Sequence, residues 1–206
     1  MDDAVTRVLD IYHKRIDAEA KRTRFRSLDE FLLAVGPAVG SVMNLLIKET
    51  EAKAILELGT SYGYSTLWLA EAARAVGGKV FSLDTQKYKQ DYAREALAQA
   101  ELAKYVEFKA GDAVEILKTT SRSFDFVLVD LWKDMYVPCL DLFYPKLKPG
   151  ALIVADNMIE PVESRADAAI YRSMVRGKPG IQSALLPIGN GIELSRYAAG
   201  LPDYLI

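Results

Sequence analysis

From residue 54 to residue 157 one unit recurs: a short apolar run, a turn holding an acid or a glycine, and a helical stretch. Ala54 to Leu58 enters the turn Gly59-Thr60-Ser61-Tyr62-Gly63, and Val80 to Leu83 ends at Asp84. Val106 to Lys109 leads to Gly111-Asp112, and Phe124 to Val129 stops at Asp130. Ala151 to Ala155, after Lys148-Pro149-Gly150, ends in Asp156-Asn157. Parallel neighbours need a crossover of a dozen or more residues, so strands alternating with stretches such as Tyr88 to Ala103 predict a parallel sheet with right-handed connections. Phe124, Phe126, Val127, Leu128 and Val129 are continuously apolar, which predicts a central strand covered on both faces.

The flanks complete a doubly wound α/β fold. Residues 1 to about 50 read as helices, with Val5, Val8, Leu9, Tyr12 and Ile16 at helical spacing. Ser27 and Glu30 form a capping-box pattern that predicts a helix striped by Leu28, Phe31, Leu32 and Val35 and broken at Gly36-Pro37; another follows from about Ala38 to Thr50. A helix is predicted around Ala168 to Val175. Beyond it, Ser183 to Pro187 and Ile192 to Tyr197 flank Gly189-Asn190-Gly191, the pattern of an antiparallel hairpin on the sheet edge. The expectation is a mostly parallel, seven-stranded sheet in one domain spanning 1–206, with N-terminal helices over 1–50 and an α/β core over 54–206.

Composition limits the partners. With 26 Lys and Arg against 28 Asp and Glu, no global basic field recruits nucleic acid or a membrane surface. One cysteine, Cys139, cannot close an internal disulfide and reads as a packing residue, and no signal-peptide or spanning segment is evident, so a cytoplasmic protein is expected. A basic stretch, Lys14, Arg15, Lys21, Arg22, Arg24 and Arg26, reads either as a solvated face or as a lid for an anionic group such as coenzyme A phosphates. His13 has no partners at a metal or triad spacing.

Five strand ends that carry or adjoin acids place an electronegative crest on one edge of the sheet, where open α/β folds bind ligands. Nicotinamide-binding turns use G-x-G-x-x-G. Here Ser61 replaces the second glycine and Glu57 precedes the first, a poor setting for a pyrophosphate. A cofactor with a ribose and a positive charge fits better, and S-adenosylmethionine has both, with Asp84 placed to hold the ribose. Taken alone, the glycines also describe a tight strand-to-helix turn.

Three segments together carry a family resemblance. ELGTSYGYS (Glu57 to Ser65), VDLWKDMY (Val129 to Tyr136) and ADN (Ala155 to Asn157) resemble the signatures of the metal-dependent class I O-methyltransferases, the group of animal catechol O-methyltransferase and plant caffeoyl-CoA O-methyltransferases. The resemblance implies a Rossmann-like methyltransferase fold. It also implies that Val35, Glu57, Gly59, Ser65, Asp84, Asp112, Ala113, Asp130 and Trp132 contact or border S-adenosylmethionine. It makes Asp130, Asp156 and Asn157 the ligands of Mg²⁺, or of another divalent cation such as Mn²⁺ or Ca²⁺, and Lys133 the catalytic residue. Two carboxylates and an amide oxygen suit a hard cation, and a lysine partly withdrawn from water can accept a phenolic proton.

Each residue also has an ordinary reading: Asp156-Asn157 as a strand-end turn, Asp130 as a helix cap, Lys133 as a loop lysine paired with Asp134, and Trp132 as core. Leu131 stands where the animal enzyme has histidine, while the Trp132-Lys133 pair departs from the plant enzymes. The expectation is an O-methyltransferase of a small phenolic substrate of catechol type, with a coenzyme A ester of a hydroxycinnamate as the close alternative. A non-catalytic S-adenosylmethionine-binding protein is an alternative from another class, and an NAD enzyme a weaker one. The apolar N-terminal helices and the resemblance also suggest a homodimer.

Overall fold

The structure is a computed structural model that describes residues 1–24 and 27–198. Arg26 of the basic stretch lies outside the described residues. The helices are α1 (Asp3–Ala20), α2 (Gly36–Glu49), α3 (Tyr64–Val76), α4 (Lys87–Gln99), α5 (Ala113–Thr119), α6 (Tyr136–Phe143) and α7 (Arg165–Arg176). The strands are β1 (Ala54–Leu58), β2 (Lys79–Asp84), β3 (Val106–Ala110), β4 (Phe124–Val129), β5 (Leu147–Ala155), β6 (Ile181–Leu186) and β7 (Ile192–Tyr197).

They form one seven-stranded sheet in the order 3-2-1-4-5-7-6. β1 to β5 are parallel, and β7 runs antiparallel to both β5 and β6, so the expected hairpin closes one edge. β5 is longer than the apolar run alone suggests. It begins at Leu147, and the pairing register with β4 shifts around Lys148-Pro149-Gly150, where Gly150 has φ +85°.

Alternation along each strand divides the core in two. Ile55, Val80, Phe126, Leu128 and Val154 join Val5, Tyr12, Val39, Met43 and Leu67 on one face. Leu56, Leu83, Val127, Val129 and Ile153 join Leu117, Tyr136, Phe143 and Tyr171 on the other. Both faces of β4 are therefore covered, which is why its sequence is continuously apolar.

The helix expected from Ser27 does not form. Only a single 3₁₀ turn, Leu28–Glu30, forms there, and the Ser27 hydroxyl accepts from the Asp29 N–H at 3.0 Å instead of the N–H three residues on. Leu32 and Val35 are buried, as a core-facing stripe requires, but from extended and irregular backbone. Gly36-Pro37 starts α2 as well as ending what precedes it, because a proline in the first helical turn lacks only an N–H that would have no helical partner.

Candidate active site

β1 lies between β2 and β4, so the chain leaves β1 in one direction and returns on its other side at β4. Such a switch point opens a crevice at the carboxyl ends of the strands. A cleft of about 670 Å³ lies there, with Gly59, Asp84, Asp112, Asp130 and Asn157 in its walls. Backbone bonds lock these strand ends in steps: Gly59 N–H to the Leu83 carbonyl at 2.9 Å, Asp130 N–H to Leu58 at 2.9 Å, and Asp156 N–H to Val129 at 3.1 Å.

The glycine turn is sterically obligatory. Gly59 has φ +101°, and a Cβ there would lie 2.1 Å from the Asp130 carbonyl oxygen. Gly63, with φ +89°, begins α3 where a Cβ would lie 2.5 Å from that of Ala93. Asp84 is oriented through the same turn: one carboxylate oxygen accepts from Ser61 N–H and the other from Gln86 N–H, both at 2.7 Å. Each oxygen keeps a further acceptor direction, and two neighbouring acceptors facing a cleft match two vicinal ribose hydroxyls.

Several residues predicted to border the cofactor take other places. Glu57 is fully buried beneath the turn and outside the cleft wall, accepting from Ser65 and Thr66 at 2.7 Å and from Ser82 at 2.5 Å. Burial pushes its carboxyl up to about 7, against the pull of the three hydroxyls. Ser65 is bound to Glu57, and Val35 packs in the core beside α2. The neighbouring Leu33 and Ala34 line the cleft instead, together with Leu28 and Asp29 of the 3₁₀ turn. Asp112 and Ala113 do line the cleft, and Asp112 also caps α5 through Val114 N–H at 2.7 Å. Lys89, which no motif in the sequence marks, reaches across from α4 to Asp29 at 3.0 Å.

At the ends of β4 and β5 the constellation tightens. Lys133 Nζ donates to Asn157 Oδ1 at 3.1 Å and makes a short hydrogen bond to the Tyr136 hydroxyl, while Tyr136 donates to the Asp156 carbonyl at 3.2 Å. The loop-lysine reading, with Asp134 as partner, therefore gives way to a half-buried lysine turned inward. Burial lowers the Lys133 ammonium, against the opposing pull of Asp130 and Asp156. Trp132 is 61% exposed at the cleft wall, so it is not core. Cys139 is buried in α6 with its thiol pushed up to about 12 by burial, and His13 packs against the Tyr64 hydroxyl at 3.0 Å.

Asp156 is 1% exposed, and among the described residues its Oδ1 has no hydrogen-bond partner. Burial raises its carboxyl and the charge of Asp130 raises it further; burial raises Asp130 as well, opposed by Lys133. An orphaned carboxylate oxygen beside a second carboxylate and the Asn157 amide oxygen fits an all-oxygen divalent-cation site. The fit rests on two acids and an amide: among the described residues no three His, Cys, Asp or Glu side chains gather into a metal cluster.

The profile of a family described as O-methyltransferase matches residues 12–198. The chain belongs to the O-methyltransferase family. It is similar to the catechol O-methyltransferase of Niastella koreensis, 34% identical over 131 residues, covering 62% of this chain and 59% of that protein. It is also similar to caffeoyl-CoA O-methyltransferase 2 of Populus trichocarpa, 30% identical over 178 residues, covering 76% and 72%. The alignment thus spans less than two thirds of the bacterial relative. Among solved structures, the O-methyltransferase TomG of Streptomyces achromogenes, in complex with S-adenosylmethionine, superposes with a TM-score of 0.73 at 25% identity over 97% of this chain and 91% of that one. The sheet order and antiparallel ending are the Rossmann-like arrangement expected for this family. No helix among the described residues is long and apolar enough to cross a membrane.

Proposed function

We propose that this O-methyltransferase uses S-adenosylmethionine and a divalent cation to methylate a vicinal dihydroxyphenyl acceptor. The observation that carries the reading is Lys133, a half-buried amine in the cleft wall, bonded to Asn157 and close to Asp130 and the buried Asp156. Asp84 would hold the ribose through its free acceptor directions, and Gly59 would let the backbone approach the cofactor closely. Asp130, Asp156 and Asn157 would hold the cation, Mg²⁺ or another hard divalent ion. A bound cation of that kind supplies a lowered hydroxyl pKa and a fixed direction for the acceptor oxygen.

The rest of the chemistry belongs to side chains of the chain. A neutral lysine amine has two N–H bonds and one lone pair. With its N–H groups directed at Asn157 and Tyr136, the Lys133 lone pair is left to take the phenolic proton. Leu131, Trp132 and Met135 supply an apolar wall on which an aromatic acceptor can lie with water displaced. No covalent enzyme intermediate is required, so orientation and electrostatics make up the protein's contribution.

The decisive assay is methyl transfer from labelled S-adenosylmethionine to catechols and to caffeoyl-CoA, in Mg²⁺ and then in chelator, for the wild type and Lys133→Ala. The expected result is transfer to catechol that stops in chelator and falls about 10²–10⁴-fold in kcat in the variant, the range for loss of a general base. Undiminished transfer in chelator would remove the cation from the mechanism. The coenzyme A ester is the second reading, favoured by the poplar relative and by exposed Lys14, Lys21 and Arg24 on the segment leading to Leu28 and Asp29 of the cleft. A preference for caffeoyl-CoA in the same assay would establish it.

A further inference from the structure

We infer that Tyr136 is a positioning residue for Lys133, its phenolic oxygen holding one N–H of the amine so that the lone pair is directed into the cleft. The inference rests on the reading of Lys133 as the base. Tyr136 opens α6, is fully buried and does not line the cleft, so any effect on the reaction must pass through another group. Its own hydrogen is committed to the Asp156 carbonyl at 3.2 Å, which leaves the oxygen as the acceptor for Lys133. The ring is enclosed in the core: Tyr136 is 0% exposed, Tyr171 packs edge-on against it with centroids 5.3 Å apart at 84°, and Lys133 Nζ sits 4.0 Å from its centroid.

Asn157 Oδ1 takes the other N–H at 3.1 Å, and tetrahedral geometry then leaves the lone pair one direction. Asn157 has a second proposed duty as an oxygen donor to the cation. The phenol is therefore the acceptor that serves Lys133 alone. Without it the amine would sample several rotamers, and a base displaced by about 1 Å loses about 10²-fold in rate.

The test compares the wild type, Tyr136→Phe, Lys133→Ala and the double variant, each measured for kcat and KM with catechol, S-adenosylmethionine and Mg²⁺. Calorimetric cofactor affinity and melting temperature are recorded for each without acceptor. Tyr136→Phe should lower kcat about 10–100-fold with KM values and cofactor affinity near wild type, and should add nothing to Lys133→Ala. Wild-type kcat in Tyr136→Phe, or the same fractional loss in both backgrounds, would overturn the inference and make the phenol merely structural. Wild-type kcat in Lys133→Ala would instead overturn the base assignment, and the inference with it. If Tyr136→Phe does not melt cooperatively, 3-fluorotyrosine at position 136 keeps the shape and the donor while weakening the acceptor. It should then give a smaller kcat loss that again vanishes without Lys133.

Discussion

Glu57 holds a carboxylate where no water reaches it, and three hydroxyls only partly replace the lost hydration. Its carboxyl rises from 4.5 to about 7, so between those values the folded chain binds more protons than the unfolded one. Stability from this group is present below pH 4.5 and is lost as pH rises through about 7, by up to ~3 kcal/mol. Urea unfolding at pH 4.5 and pH 8 should show that loss in the wild type and a smaller one in Glu57→Gln; the same pH dependence in both would refute it. Asp130 and Asp156 shift in the same direction, so the difference between the two proteins isolates Glu57. At this scale the sequence marked Glu57 as an acid beside a glycine turn. It did not show that Ser65, Thr66 and Ser82, from two different elements, would enclose it below the cleft.

Between elements, two glycines report on different contacts. A Cβ at Gly59 would strike the Asp130 backbone, whereas one at Gly40 would strike the Trp68 indole, 2.6 Å away, where α2 packs on α3. Gly59→Ala also needs a left-handed backbone that alanine disfavours. Both substitutions should destabilise by about 1–3 kcal/mol as overpacking does. Only Gly59→Ala should also abolish S-adenosylmethionine binding, since it parts β1 from β4 at the cleft. Chemical unfolding with calorimetry separates the two, and full cofactor affinity in a folded Gly59→Ala would contradict the assignment of the turn. Periodicity located β1 and β4 to the residue because both are short, apolar and sharply ended. It failed at Ser27 because a capping box needs a helix after it, and the chain there is drawn instead into bonds with distant groups: Ser61 Oγ donates to the Leu32 carbonyl and Tyr62 to that of Asp29.

Across the whole molecule, the neighbouring strands β4 and β5 end in a pair of acids, Asp130 in the cleft wall and the buried Asp156, whose charges Lys133 alone opposes only in part. Ligands that bind only the folded state should therefore stabilise it. S-adenosylmethionine at about 100 times its Kd adds ~2.7 kcal/mol, which for a chain of this size raises the melting temperature by about 5–10 °C. Mg²⁺ should raise it as well, and that increment should disappear in Asp156→Asn. Scanning calorimetry with and without each ligand measures both, and an equal Mg²⁺ increment in Asp156→Asn would place the cation elsewhere.

The alternation of apolar runs and helical stretches was enough by itself to determine the layered fold, because burial on two faces imposes a composition that can be read locally. The antiparallel ending was legible for a similar reason, through the residues that tolerate positive φ at Gly189 and Gly191. Strand ends bearing acids likewise placed the crest. Tertiary structure alone decided which of those acids face the cleft and which lie beneath it. Asp84 and Glu57 both sit at or near a strand end, yet pairing and turn geometry expose one and enclose the other. It also decided that Tyr136, three residues beyond Lys133 and twenty before Asp156, would connect the two, since a hydrogen bond between distant segments leaves no periodic trace in the chain.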